Sequence, residues 1–124
     1  MNVIDSSGWL EYFVDGKNAD FFAPVIEDSA NVLVPTISIF EVFKRILIEK
    51  NRDDALEAAA MMYECKIIDL DREIALIAAD LSVELKLPMA DSVILATARA
   101  WDAILWTQDE HFEGLRGVKY IKKP

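Results

Sequence analysis

The sequence has 124 residues with 13 Lys+Arg against 22 Asp+Glu, a formal net charge of −9 with its single His neutral. Hydrophobic residues make up 53%, which excludes an intrinsically disordered chain, and the length fits one domain over residues 1–124. The lone Cys65 excludes an intrachain disulfide and a thiolate zinc cluster, no apolar stretch approaches the roughly 20 residues of a bilayer span, and the charge opposes nucleic-acid binding unless cations mediate it.

Val3-Ile4, ending in Asp5-Ser6-Ser7-Gly8, reads as a buried strand turning into a helix. With no basic segment ahead of an apolar run, the expected address is the cytosol, without membrane contact. Trp9, Leu10, Tyr12 and Phe13 give the first helix its apolar content, and Asp15-Gly16 is expected to close it. A second helix is predicted over 18–29, interrupted by Pro24, and Asn31 to Pro35 reads as a second strand. Ile39, Phe40, Phe43, Ile46 and Leu47 make 36–50 an amphipathic helix, and another runs from Asn51 to about Tyr63. Lys66 to Leu70 is a third strand, and 73–87 a helix stopped by Pro88. The segment 90–101 has Asp91, Ser92, Thr97 and Arg99 as its only polar members, so it must be a core helix. Ala103 to Thr107 is a fourth strand, 109–112 a short helical turn and Val118 to Ile121 an edge strand.

Short strands, apolar throughout and separated by helices, predict an α/β parallel sheet covered on both faces. In such sheets, functional groups gather beyond the carboxyl ends of the strands. Asp5 and Asp109 follow strands there, Asp91 opens the helix that enters the fourth strand, and Glu41 lies in the first turns after the second. Each acid alone also reads as a helix cap or first-turn acid, and Ser38-Ile39-Phe40-Glu41 matches a capping box. Jointly the four are less easily explained that way. Two carboxylates about 5 Å apart repel by roughly 3 kcal/mol at an effective dielectric near 20. Oxygen ligands without His or Cys point to Mg²⁺ or Mn²⁺ and to metal-assisted phosphodiester hydrolysis.

At these positions the sequence resembles the PIN-domain ribonucleases, and among them the short VapC-type toxins of toxin-antitoxin pairs. The matching segments are Val3-Ile4-Asp5-Ser6-Ser7, Ser38-Ile39-Phe40-Glu41-Val42, Leu87-Pro88-Met89-Ala90-Asp91-Ser92, and Leu105-Trp106-Thr107-Gln108-Asp109 with Phe112. The resemblance implies a three-layer α/β/α sandwich with a mostly parallel sheet in the order 3-2-1-4-5. It implies a metal site of Asp5, Glu41, Asp91 and Asp109, with Ser6 and Thr107 as supporting hydroxyls. It further implies Mg²⁺- or Mn²⁺-dependent RNA cleavage, homodimerisation and inhibition by a small VapB-like antitoxin. Glu110-His111-Phe112 departs from the pattern, since the family often carries an acid immediately before the Phe. His111 itself reads as an exposed residue on a short helix.

Lys44, Arg45 and Arg99 are candidate RNA contacts, with Arg116, Lys119, Lys122 and Lys123 further along, although most of these residues read more simply as solvated surface charge. Glu41 and Arg45 are spaced as an i,i+4 pair. The aromatic group Trp9, Tyr12, Phe13, Phe21 and Phe22 reads as core, and its density in the first helices also fits a partner groove. Two other classes share parts of this pattern. A receiver-type signalling domain would use Asp69 and Lys119 beside a Mg²⁺-binding acidic pocket, but would begin with an acidic pair where Asp5 stands alone. A phosphatase would carry a second acid at Ser7. A non-catalytic PIN-like binding domain would use the acids as caps only.

Overall fold

The computed structural model describes all residues from Met1 to Pro124. The five apolar runs become β1 (Asn2–Ile4), β2 (Val32–Pro35), β3 (Lys66–Ile68), β4 (Ile104–Thr107) and β5 (Val118–Tyr120). They form one sheet in the order β3-β2-β1-β4-β5. Every neighbouring pair is parallel, so the sheet is wholly rather than mostly parallel. Parallel neighbours need a crossover; here α1 (Ser6–Phe13) and α2 (Ala19–Glu27), α3 (Thr36–Glu49) and α4 (Arg52–Met62), and α5 (Arg72–Leu85) and α6 (Met89–Ala100) make three helix pairs between successive strands.

Alternation along the strands divides the core in two. Val3, Leu33 and Leu105 face α5, α6 and Phe112. Ile4, Val32 and Val34 face Trp9, Phe22, Val42 and Met62 on the helices of the other side. The apolar helix α6 is buried from Ser92 to Ala98, as its composition requires. Gly8 is needed where α1 leaves the sheet: a Cβ there would come within 2.5 Å of Ile4 Cγ2 and 2.7 Å of the Phe22 ring.

Helix ends follow local chemistry. Asp5, Asn51 and Asp71 cap α1, α4 and α5 through side-chain bonds to amides three residues on. The left-handed residue beyond α1 is Asp15 (φ 51°) and not Gly16, and α5 closes on Lys86 at φ 57°. The second predicted helix is shorter, and Ser29–Asn31 forms a 3₁₀ turn leading into β2.

Candidate functional site

Asp5 continues β1 by one backbone bond, its amide donating to the Trp106 carbonyl at 3.1 Å, and then starts α1. That junction buries the carboxyl to 2% exposure. Oδ1 accepts from the Gly8 amide at 3.0 Å and Ser7 Oγ at 2.8 Å, and Oδ2 accepts from Thr107 Oγ1 at 2.7 Å. Asp5 is thus a cap and a buried acid at once. Burial pushes its pKa up to about 7, against the pull of the hydroxyl and amide donors, and the charge on Asp109 pushes the same way. Ser7 is a supporting hydroxyl that the sequence reading passed over; its signal was the Asp5-Ser6-Ser7-Gly8 cap itself.

Thr107, buried at the end of β4, ties two of the acids together. Its hydroxyl donates to Asp5 and accepts from the Asp109 amide at 2.8 Å. Asp109 caps the 3₁₀ turn Glu110–Phe112 by accepting from the His111 amide at 3.0 Å. His111 is exposed on that turn, as expected, yet its ring is engaged. Nδ1 lies 2.9 Å from Asp91 Oδ2 and 3.4 Å from Asp109 Oδ1. Asp91 stands in the first turn of α6 but caps nothing, since the N-cap position is Pro88 and makes no side-chain bond. Burial raises the Asp91 pKa and Asp109 adds to it, while the hydrogen bond with His111 opposes. That bond, with the Asp109 charge, raises the pKa of His111.

Asp91, Asp109 and His111 offer ligand atoms within 4.8 Å of one another. Asp5 is coupled to Asp109, and Glu41 stands further out. The Glu41 carboxylate accepts from Ser6 Oγ at 2.6 Å. The expected capping box does not form. Thr36 already opens α3, with Pro35 before it, which places Ser38 inside the helix with a buried hydroxyl lacking a partner. Nor does Glu41 pair with Arg45, whose Nε donates instead to Glu49 Oε1 at 2.6 Å. Lys44 and Arg45 line a groove with Ser6, Phe40, Glu41 and Ile48. Lys122 and Lys123 share a second hollow with Asp109 and His111. Arg99 lies eight residues beyond Asp91, about 12 Å down α6, and reaches the Arg116 carbonyl.

These donors fit a hard divalent ion. The ion pairs of the chain are Arg45 with Glu49 and the two contacts of His111, so no Lys or Arg neutralises Asp5, Asp91 or Asp109. An oxygen-rich group of this kind suits Mg²⁺ or Mn²⁺. The signalling alternative fails on topology: Asp69 follows β3 and Lys119 lies in β5, at opposite margins of the sheet.

Solved structures share this architecture. One from a toxin-antitoxin complex of Klebsiella pneumoniae aligns with a TM-score of 0.81 at 22% identity, covering 96% of both chains. VapBC2 of Rickettsia felis, bound to a DNA fragment from its promoter, aligns at 0.74 and 13% identity over 98% of this chain and 97% of the other. VapC20 of Mycobacterium tuberculosis, a toxin that cleaves the sarcin-ricin loop, aligns at 0.72 and 13% identity over 91% and 92%. No curated protein sequence matches the chain. The model of the PIN domain spans residues 3–118 and with them all four acids. On that match, over a sheet and an acidic edge already in place, the chain belongs to the PIN domain family.

Proposed function

We propose that the protein is a Mg²⁺- or Mn²⁺-dependent endoribonuclease, the toxin of a toxin-antitoxin pair acting in the cytoplasm. The observation that carries this reading is the acidic edge itself: Asp5, Asp91 and Asp109 gathered at the ends of β1 and β4 with no Lys or Arg partner and only the His111 imidazole beside them. PIN domain proteins are generally nucleases, which agrees. Asp5, Asp91 and Asp109 would hold the ion, with Glu41 beside them on α3. A bound divalent ion polarises a phosphodiester and lowers the pKa of a coordinated water.

The surrounding residues have separate tasks. Thr107 and Ser7 fix the Asp5 carboxylate, and Thr107 also orients the Asp109 backbone. Ser6 holds Glu41. Lys44 and Arg45, in the groove beside Glu41, and Lys122 and Lys123, in the hollow beside Asp109, would hold RNA phosphates. The groove beside Glu41 has a volume of about 300 Å³ and carries the exposed apolar residues Phe40 and Ile48. A small antitoxin seated there would cover one flank of the acids.

The test is cleavage of an RNA panel with Mg²⁺ or Mn²⁺, with and without chelator, by the wild type and Asp5→Asn. Outer-shell substitutions cost 10–100-fold, so loss of this buried acid is expected to cost at least about 100-fold. Equal cleavage by the variant would assign the activity to a contaminant. No cleavage by any preparation would leave a non-catalytic binding domain.

A further inference from the structure

His111 Nδ1 stands between two of the acids, 2.9 Å from Asp91 Oδ2 and 3.4 Å from Asp109 Oδ1. An octahedral ion with bonds near 2.1 Å places adjacent donors about 3.0 Å apart, so the 2.9 Å spacing fits one edge of a coordination shell, and the 3.4 Å spacing asks for a small inward turn of Asp109. Three elements fix the arrangement. Asp91 comes from the first turn of α6, Asp109 follows β4, and His111 is anchored by the hydrogen bond its backbone amide donates to Asp109 Oδ1. The imidazole side chain is 54% exposed, so an ion reaches this corner from solvent.

We propose that His111 is a direct ligand, through Nδ1, of the divalent ion held by Asp91 and Asp109, and that it makes the site prefer Mn²⁺ to Mg²⁺. The inference rests on the reading of the acids as a metal site. Mg²⁺ keeps to oxygen donors and water, whereas an imidazole nitrogen moves a mixed site toward the first-row transition ions, of which Mn²⁺ is the one that also accepts carboxylates as readily as Mg²⁺ does. The rival is a His111 that only hydrogen-bonds Asp91 and stays outside the shell.

The chain contains one His, so a nitrogen signal from tag-free protein has one imidazole source. Pulsed electron paramagnetic resonance of the Mn²⁺-loaded protein is expected to show ¹⁴N coupling of directly bound imidazole. The coupling should vanish in His111→Gln and His111→Asp. Direct titration should show Mn²⁺ affinity falling about ten-fold in His111→Gln while Mg²⁺ affinity changes by less than about two-fold. His111→Asp should restore an oxygen site with its preference moved toward Mg²⁺. Circular dichroism checks that both variants are folded.

Bound Mn²⁺ without nitrogen coupling in the wild type would overturn the inference and leave the metal-dependent reading standing. An unchanged Mn²⁺-to-Mg²⁺ preference in His111→Gln would overturn it as well. Failure of the wild type to bind either ion would remove both.

Discussion

Asp5 shows how one residue serves folding and chemistry at opposing cost. As a cap it satisfies the Gly8 amide, and as a buried carboxyl it has a pKa near 7, well above an unfolded carboxyl. Between about pH 4 and 7 the folded chain then keeps a proton that the unfolded chain has lost, so stability falls as pH rises, by at most about 4 kcal/mol. The raised pKa values of Asp91 and His111 tilt the curve the same way. In chelator, the melting temperature is expected to decline from pH 5 to pH 8. Asp5→Asn should remove most of that decline, and Mn²⁺ added at pH 8 should restore the wild type. A flat wild-type profile would contradict the assignment. Asp5 was legible in the sequence because it directly follows an apolar run. Its partner Thr107 became visible only through the family pattern, because no local spacing signals a hydroxyl 102 residues away.

At the scale of the element, boundaries were readable to within a few residues wherever an apolar run met Gly, Pro or an acid. The exceptions have local causes. Pro35 suits the position before a helix, so α3 starts at Thr36 and the Ser38–Glu41 pattern falls inside the helix, where a cap has no free amide to serve. Released from that role, Glu41 turns to Ser6 and leaves Arg45 to Glu49. His111 is exposed on a short helical turn as the sequence suggests, but its contact with Asp91 could not be read there, because three residues of 3₁₀ turn say nothing of what faces them across the sheet edge. Lys86 ends α5 in a conformation that suits glycine. Replacing it with Gly is expected to stabilise the protein by about 0.5–1 kcal/mol in denaturant unfolding, through relief of left-handed backbone strain. A loss of stability would mean that the Lys86 side chain contributes more than its backbone costs.

Over the whole molecule, the sheet order came from the family resemblance, since periodicity alone does not say which strands are neighbours. The surface carries a further pattern. Leu76 and Val83 are seven residues apart on α5 and 70% and 83% exposed, with exposed Met89 beyond them. An apolar stripe on a chain of net charge −9 suits the homodimerisation that the family resemblance implies. Val83→Glu is expected to weaken self-association at least ten-fold, about 1.4 kcal/mol, in sedimentation equilibrium. Added salt should strengthen the wild-type dimer by screening repulsion between two acidic copies. An unaltered association constant would place the interface elsewhere.

The position of β4 between β1 and β5 has a consequence during synthesis. As the chain emerges from the ribosome, β1 has no neighbour on that side until Ile104–Thr107 appear, so Asp5 lacks Thr107, and Asp109 has not yet been made. An incomplete chain therefore cannot assemble the acidic edge. Any cleaving ability is withheld from nascent protein until β4 and Asp109 have been made and β4 has paired with β1.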